Sequence, residues 1–336
     1  MKKIVKKLIS VLLITVMIFG VAACTGKPKQ DSQPEILKKV TVVLDWTPNT
    51  NHTGLYVADE KGFFKDEGLK VEIIQPSEGT SDTIVASGKA QFGISYQESV
   101  TYARAADIPI VSIAAVIQHN TSGFASIKEK NILTPKDFEG KVYGGWGSDV
   151  EAATIKYLME QVGADFSKVT IMTTGDADFF QASASGQIDF TWIFEGWTGI
   201  EAKLKGMELN YIDLGKEAPV FDYYTPVIIT NETVLKEDKE LVEAFMKAVR
   251  KGYEYAMENP EDAADIFIKA VPELNQELVK ESQKFLAERY QADAETWGLQ
   301  KEEVWQCYTD WMFENGFIDK RIDVSKAFTN EFIDRQ

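Results

Sequence analysis

Short apolar, β-branched runs alternate with amphipathic stretches along the chain from Lys38 onward. The run IVSIAAVIQ is apolar enough for a strand that is buried on both faces, and Gly62 and Gly88 are placed as helix stop signals. The pattern predicts strands at 39–46, 69–75, 91–95 and 110–118, with helices at 54–61, 81–87 and 98–106. Such alternation favours a mostly parallel sheet with helices on both sides.

The same alternation starts again at Lys141. It predicts strands at 141–145, 168–173, 188–194 and 209–214, with helices at 149–162, 176–184 and 199–204. A crossing strand follows at 225–230, and the rest of the chain is predicted helical, at 236–258, 260–270, 276–289, 301–315 and 324–333. Two α/β lobes joined by crossing segments would enclose a cleft, and ligands of open α/β sheets bind outside the carboxyl ends of the strands.

The N-terminus has the pattern of an export signal. Four lysines precede an apolar run at 8–21, which is shorter than the roughly 20 residues that a membrane-spanning helix needs. Val-Ala-Ala-Cys at 21–24 resembles the bacterial lipobox, which implies lipidation of Cys24. The sequence therefore predicts a signal peptide at 1–23 and a polar, flexible tether at 24–37, and the alternative is an N-terminal transmembrane anchor.

Composition narrows the range of functions. The chain has 36 basic and 52 acidic side chains, a net charge of −16. This balance argues against binding to nucleic acid, which needs clustered Lys and Arg. Two cysteines and two histidines, with no close cluster of metal-ligating side chains, argue against a metal site, and we expect no cofactor.

The segments that follow the predicted strands carry aromatic side chains together with a few carboxylates. The candidate ligand-binding residues are Asp45, Trp46, Asn49, His52, Tyr96, Glu98, Gly144, Gly145, Trp146, Trp192, Glu195, Tyr223 and Tyr224. Ring faces stack on Trp and Tyr, while carboxylates accept hydrogen bonds from ring N–H and amino groups. This composition indicates a flat, neutral or cationic heteroaromatic ligand.

Several of these residues also have purely structural interpretations. Trp46 could fill the core beneath its loop, and Glu195 could be a first-turn acid that the helix dipole stabilises. His52 could be a structural hydrogen-bonding residue. Tyr223 and Tyr224 point to opposite faces of an extended segment, so at most one should face the cleft.

No catalytic arrangement stands out in the sequence. Gly145-Trp146-Gly147 lies between a strand and a helix, as in the dinucleotide-binding fingerprint, but Val150 occupies the third glycine position. Backbone N–H groups of this loop could still bind an anionic or carbonyl oxygen at the helix N-terminus. We find no Ser/His/Asp set and no Cys/His pair, so the chain is not expected to be an enzyme.

Four segments resemble a known family: LDWTPNTNHTGLYVADEKGFFKDEGL, SEGTSDTIVASGKAQFGISYQESV, IAAVIQHNTSGF and LTPKDFEGKVYGGWGS. They are similar to the solute-binding lipoproteins of ABC transporters for alkanesulfonates, taurine and thiamine precursors, and most similar to the ThiY-type, formylaminopyrimidine-binding branch. The Asp-Trp-Thr-Pro-Asn-x-x-His-x-Gly loop is the most specific segment. The similarity extends from about Lys38 to the C-terminus.

The resemblance implies a two-lobed periplasmic-binding-protein fold of type 2. One lobe would comprise residues 38–122 plus 231–336, with the C-terminal helices packed mainly on it, and the other residues 123–230. The ligand would be formylaminopyrimidine or a related aminopyrimidine. Glu195 or Asp45 would pair with its ring nitrogen and amine, while Trp46 and Trp192 would sandwich the ring.

The resemblance also implies a location and partners. The protein would be an exported monomer, lipid-anchored through Cys24 to the outer face of the bacterial cytoplasmic membrane, that delivers its ligand to an ABC permease with a cytoplasmic ATPase. Two alternatives are a binding protein for a riboflavin-like molecule or for an aromatic or alkyl sulfonate, and a pyrimidine-synthesising enzyme of the same fold. Fungal enzymes of that kind carry a cysteine-rich motif, whereas this chain has only Cys24 and Cys307.

Overall fold

The computed structural model describes residues 36–76, 79–175 and 178–333. The predicted signal peptide, Cys24 and nearly all of the tether lie outside these residues. From Leu37 onward the chain packs as one unit that contains two five-stranded sheets. Within the described residues, no helix combines the length and the apolar character that crossing a membrane would require.

The first sheet has the strand order β2-β1-β3-β10-β4. β1 pairs in parallel with β2 and β3, whereas β10 runs antiparallel to both β3 and β4. The strands are β1 (Lys38–Val43), β2 (Leu69–Ile74), β3 (Phe92–Ser95), β4 (Ile110–Ala115) and β10 (Val227–Asn231). The helices of this part are α1 (Thr53–Glu60), α2 (Phe63–Asp66), α3 (Ser81–Ala86) and α4 (Gln97–Ala105).

The second sheet has the order β7-β6-β8-β5-β9. β6 is parallel to β7 and β8, and β5 is antiparallel to β8 and β9. The strands are β5 (Ser122–Ile127), β6 (Val142–Gly145), β7 (Thr170–Thr173), β8 (Phe190–Phe194) and β9 (Leu209–Asp213). Its helices are α5 (Asp149–Gln161), α6 (Phe179–Ala184), α7 (Ile200–Leu204) and α8 (Leu214–Glu217), with a π-helical turn at Glu195–Gly199.

Four of the five strands in each sheet point the same way, so the predicted mostly parallel α/β architecture is confirmed. The sequence pattern missed β5, whose small residues lack the β-branched signature of a strand. Gly123 is required there, because a Cβ would lie 2.3 Å from the carbonyl oxygen of Ile212 on β9. The predicted lobe boundary at residue 230 falls inside β10, and the whole of this strand belongs to the first sheet.

The C-terminal part is helical, as predicted. It contains α9 (Glu232–Glu237), α10 (Lys239–Glu258), α11 (Pro260–Ala270), α12 (Gln276–Ala287) and α13 (Glu302–Glu314). The helix predicted at 324–333 is wrong, since only a 3-10 turn at Val324–Lys326 forms there.

The C-terminal helices pack on both sheets. α10 buries its apolar face against the first sheet, where Phe245 stacks on Phe92 with ring centroids 3.8 Å apart. α13 instead adds Trp311 and Met312 to the core of the second sheet.

Two segments connect the sheets. The chain leaves the first sheet after β4, enters β5, and returns through residues 214–226 into β10. His119 on the outgoing segment contacts Asp222 on the returning one, Nδ1 to Oδ2, at 2.7 Å. Its Nε2 lies 2.9 Å from Asp293. His119 therefore links the outgoing and the returning segment by a direct contact between their side chains.

Candidate functional site

A cavity of about 380 Å³ opens where strands of both sheets end. Its walls come from the segments after β1, β3, β4 and β6 and from the end of β8, which is the carboxyl edge where α/β sheets bind ligands. The predicted residues that line it are Asp45, Trp46, Asn49, Tyr96, Trp146 and Trp192. Residues that the sequence analysis did not single out also line it, among them Ile117, Thr121, Phe194, Trp197, Thr225 and Leu286.

Asp45 is the one carboxylate among the described residues that line this cavity. Its side chain is only 6% exposed, with Oδ1 2.7 Å from His52 Nε2, and Oδ2 accepts the hydroxyl hydrogen of Tyr96 at 2.8 Å. Burial raises the pKa of Asp45, but the His52 ring and the two hydrogen bonds outweigh burial and hold the pKa below its ordinary value. Asp45 is therefore an ionised acceptor in a largely apolar wall.

His52 supports Asp45 and does not line the cavity. The ring is fully buried, and Nδ1 accepts the backbone N–H of Asn49 at 3.2 Å, so Nε2 carries the proton that Asp45 accepts. Asn49 in turn caps the 3-10 turn Thr50–His52 by accepting the N–H of Asn51. The Asp-x-x-x-Asn-x-x-His spacing thus folds into one capped turn that fixes the carboxylate, and His52 has the structural role that was the alternative interpretation.

Four tryptophans line the cavity, Trp46, Trp146, Trp192 and Trp197. Trp46 is 54% exposed and Trp146 51%, whereas Trp192 is 8% exposed. Trp146 and Trp192 face each other at a tilt, with ring centroids 5.7 Å apart. Two half-exposed indoles at the mouth of a cavity leave apolar surface for a flat ligand to cover. Trp46 therefore belongs to the cavity wall and does not fill the core.

The two glycines of β6 are packing residues. A Cβ on Gly144 would lie 2.5 Å from Ile188, and one on Gly145 would lie 2.1 Å from Oε1 of Glu151. Gly144 does not line the cavity, and Gly145 reaches only a neighbouring pocket beside Trp146. Their absent side chains let β6 and its loop approach their neighbours closely.

The loop after β6 does not offer free backbone N–H groups. Glu151, on the first turn of α5, is 2% exposed and accepts from the backbone N–H groups of Trp146, Gly147 and Ser148 at 2.8–3.2 Å. Its Oε1 also accepts the hydroxyl of Tyr143 at 2.5 Å. The interpretation of this loop as a binding site for an anionic oxygen is therefore wrong, because an internal carboxylate occupies the position.

Only one tyrosine of the 223–224 pair faces the cleft, as the alternation predicted. Tyr223 lies beside Trp146 in a second chamber and stacks on Tyr308 with centroids 4.2 Å apart. Tyr224 points into the core of the first sheet, where its hydroxyl accepts the backbone N–H of Lys301 at 2.9 Å. Tyr224 is thus a structural residue.

The second chamber has a volume of about 300 Å³ and contains Glu98. It shares Tyr96, Trp146, Trp192 and Phe194 with the cavity that Asp45 and the tryptophans line, which we call the aromatic cavity. Glu98 therefore lies behind the tryptophans and outside the wall that Asp45 forms.

Glu195 does not line the aromatic cavity. Its side chain borders a separate surface pocket together with Ile193 and Phe285. Burial raises the pKa of its carboxyl group, while Arg289 and Lys216 act in the opposite direction. Of the two carboxylates that the sequence proposed for the ligand, the structure places Asp45 in the cavity and Glu195 outside it.

Phe194 is the most informative residue that the sequence analysis missed. Side chains alternate along β8, so Trp192 and Phe194 share a face and both line the cavity. Ile193 borders both the cavity and the separate pocket, and Glu195 borders the separate pocket alone. Reading this period of two from Trp192 would have selected Phe194 and disfavoured Glu195.

Among the described residues, no group of three or more His, Cys, Asp or Glu side chains is arranged to hold a metal ion.

The two sheets, their crossing segments and the cavity at the strand ends define the class: this is a periplasmic-binding-protein fold. The alkanesulfonate-binding protein SsuA from Xanthomonas axonopodis pv. citri has the same fold, with a TM-score of 0.67 over 87% of this chain and 98% of that chain, at 13% identity.

The chain belongs to the NMT1/THI5-like family, whose model matches residues 49–263. It is 32% identical to the formylaminopyrimidine-binding protein of Halalkalibacterium halodurans, over 96% of this chain and 98% of the relative. It is also 25% identical to a 4-amino-5-hydroxymethyl-2-methylpyrimidine phosphate synthase of Legionella pneumophila, over 88% of this chain and 92% of the relative. The family resemblance predicted from the sequence is confirmed.

Proposed function

We propose that this protein is an extracytoplasmic solute-binding protein that binds an aminopyrimidine precursor of thiamine, formylaminopyrimidine or a close relative, for import. The observation that carries the proposal is the ionised Asp45 carboxylate, set among tryptophans at the cleft between the sheets. The similarity to a formylaminopyrimidine-binding protein over nearly the whole of both chains supports the same ligand class.

The chemistry of an aminopyrimidine fits this cavity. Its ring faces would stack on the exposed indoles of Trp46 and Trp146, and its N–H groups would donate to Asp45. Each oxygen of Asp45 accepts one hydrogen bond from the protein. A carboxylate oxygen has two acceptor positions, so Asp45 can accept further bonds from the ligand.

The cavity fits an anionic ligand poorly. No Lys or Arg is found among the described residues that line it. The backbone N–H groups after β6 already donate to Glu151. A sulfonate would therefore lose its hydration without gaining a cationic partner from the described residues of the wall, which disfavours the sulfonate alternative.

We propose binding without turnover, because the relative from Halalkalibacterium halodurans, at 32% identity, is named as a binding protein. The synthase relative is the competing interpretation. Recovering the aminopyrimidine unchanged after incubation with the protein, by mass spectrometry, would support the binding protein. Conversion of an added substrate into a new pyrimidine would support the enzyme.

The remaining parts of the proposal concern location and partners. The signal pattern at 1–23 and the lipobox-like Cys24 support export and a lipid anchor on the outer face of the cytoplasmic membrane. We propose that the anchored protein is a monomer. The ligand would stabilise the closed state of the protein by its higher affinity for that state. An ABC permease would recognise the closed, ligand-bound protein. Labelling with a radioactive fatty acid, lost in Cys24→Ala, tests the anchor.

The ligand carboxylate can be identified with two isosteric variants. Asp45→Asn should weaken formylaminopyrimidine binding by about 2 to 4 kcal/mol in calorimetric titration, because a buried charge-assisted hydrogen bond loses its charge. Glu195→Gln is the matched control and should bind within about 0.5 kcal/mol of wild type, since Glu195 lies outside the cavity. A large loss in Glu195→Gln with little change in Asp45→Asn would reverse the assignment.

A further inference from the structure

The π-helical turn at the end of β8 lies against α12. Gly196 lets this turn come close to the helix, since a Cβ there would be 3.0 Å from the ring of Phe285. Trp197 follows and packs on the apolar cluster of α11 and α12 that includes Phe267. α12 itself packs on the first sheet, because Leu286 belongs to the same hydrophobic core as residues of β1 and β3. The turn thus joins the second sheet to the helices of the first, in addition to the two connecting segments.

Ser282 of α12 bridges this contact with a single hydroxyl group, and its side chain is fully buried. A carbonyl oxygen can only accept, so Ser282 donates its hydroxyl hydrogen to the carbonyl oxygen of Gly196. The oxygen of Ser282 is then the acceptor for the hydroxyl of Thr50, 2.6 Å away. The hydroxyl group therefore donates toward the second sheet and accepts from the side of the first.

The partner of Ser282 on the first-sheet side is itself fixed. Thr50 begins the capped turn that positions Asp45, and its carbonyl oxygen accepts the hydroxyl hydrogen of Tyr290 at 2.6 Å. Tyr290 belongs to the core of the first sheet. The bond between Thr50 and Ser282 therefore stays on one side of the cleft. The bond from Ser282 to Gly196 crosses to the other side, so it must break if the two sheets separate at this turn.

We propose that Ser282 is the latch of the cleft: its hydrogen bond to Gly196 forms when the two sheets close over the ligand and slows the release of that ligand. The inference rests on the proposed binding function and deepens it. An interaction that exists only in the closed arrangement shifts the balance between open and closed protein by its own free energy. Ser282 is not among the described residues that line the aromatic cavity, whereas Trp197 is. Ser282 is thus a positioning residue that acts on the ligand through the turn.

The rates of ligand exchange test the latch. Stopped-flow fluorescence of the cavity tryptophans would measure association and dissociation of formylaminopyrimidine in wild type and Ser282→Ala. The variant should release the ligand about tenfold faster, because the closed arrangement loses a buried hydrogen bond. Its association rate constant should not fall, because the wall of the cavity is unchanged. An unaltered dissociation rate constant, or slower association, would overturn the latch.

Ser112→Ala is the matched control. Ser112 on β4 is also fully buried, and its hydroxyl donates to Gln300 at 2.7 Å, but neither residue belongs to the second sheet or to its turn. This variant should lower the melting temperature as Ser282→Ala does, and should leave both rate constants within about twofold of wild type. Equally fast release in the two variants would show general destabilisation and contradict the proposal.

If formylaminopyrimidine does not bind to wild type, the proposed function fails, and small-angle X-ray scattering of the protein without added ligand then decides on the latch. Loss of the latch should favour the open arrangement, so the radius of gyration of Ser282→Ala should exceed that of wild type. Ser112→Ala should match wild type. Equal radii of gyration for Ser282→Ala and wild type would overturn the latch independently of any ligand.

Discussion

At the scale of single residues, hydrogen bonds with neighbouring side chains fix the residues that line the cavity. His52 and Tyr96 keep Asp45 ionised and oriented, and Glu151 fixes the loop that carries Trp146. Both supporting sets use local sequence spacing: Asn49 to His52 forms one capping box, and Ser148 to Glu151 forms another. The side chains of Asp45 and Trp146, which line the cavity, are thereby held in position by the protein itself.

Glu151→Gln should destabilise the protein by about 2 kcal/mol. The amide keeps the size of the side chain, but its NH₂ group cannot accept from the backbone N–H groups that now share the carboxylate. Urea unfolding monitored by circular dichroism measures the loss. Glu160→Gln is the control on the same helix, since Glu160 is exposed, and it should change the stability by less than about 0.5 kcal/mol. Similar losses in the two variants would contradict the role given to Glu151.

The sequence predicted the composition of the site better than its geometry. Aromatic residues and carboxylates at strand ends were sufficient to select Asp45, Trp46, Trp146 and Trp192, all of which line the cavity. The face on which Glu195 lies depends on the register of β8 and on the π-helical turn that follows it. In that turn the carbonyl oxygen of Gly196 accepts the hydroxyl hydrogen of Ser282 on α12, a long-range contact that the local sequence does not reveal.

At the scale of elements, small residues decide where the backbone comes close. β5 is an interior strand of the second sheet although its sequence is SGFASI, because Gly123 lets the neighbouring strand β9 come close. α1 and α10 cross at Gly54 and Gly252, and a Cβ on Gly252 would lie 2.0 Å from the carbonyl oxygen of Gly54. Glycine in a helix costs stability, so its position in α10 is explained by this crossing. Propensity alone could not predict either contact.

Gly252→Ala should therefore destabilise the protein by about 1 to 3 kcal/mol, through overpacking at the helix crossing. Helix propensity alone would give the opposite sign, a gain approaching about 1 kcal/mol. Gly199→Ala is the matched control, because its Cβ would come no closer than 3.4 Å to any neighbour. Thermal denaturation compares the two variants. An increase in melting temperature for Gly252→Ala would rule out the close crossing.

At the scale of the whole molecule, the two sheets are linked by segments that His119 joins. The hydrogen bonds with Asp222 and Asp293 raise the pKa of His119 above its ordinary value, although burial acts against them. A raised pKa in the folded state means that the stabilisation is fully present below the ordinary pKa of about 6.5 and is lost as pH rises through the higher folded value.

His119→Gln should lower stability at pH 5.5 and have a smaller effect at pH 9. The loss at the lower pH should stay below about 1 kcal/mol, because the side chain is half exposed and water screens the pairs. Urea midpoints of wild type and variant at the two pH values measure it. An equal loss at both pH values would show that packing, and not the protonated ring, accounts for the contribution.

The central claim is that the cleft between the sheets selects a flat ligand rich in N–H donors. Calorimetric titration of formylaminopyrimidine, riboflavin and an alkanesulfonate into the same mature protein tests it most directly. The account predicts saturable binding of one formylaminopyrimidine per chain, and no binding of the sulfonate. Binding of the sulfonate or of riboflavin without detectable binding of formylaminopyrimidine would contradict it.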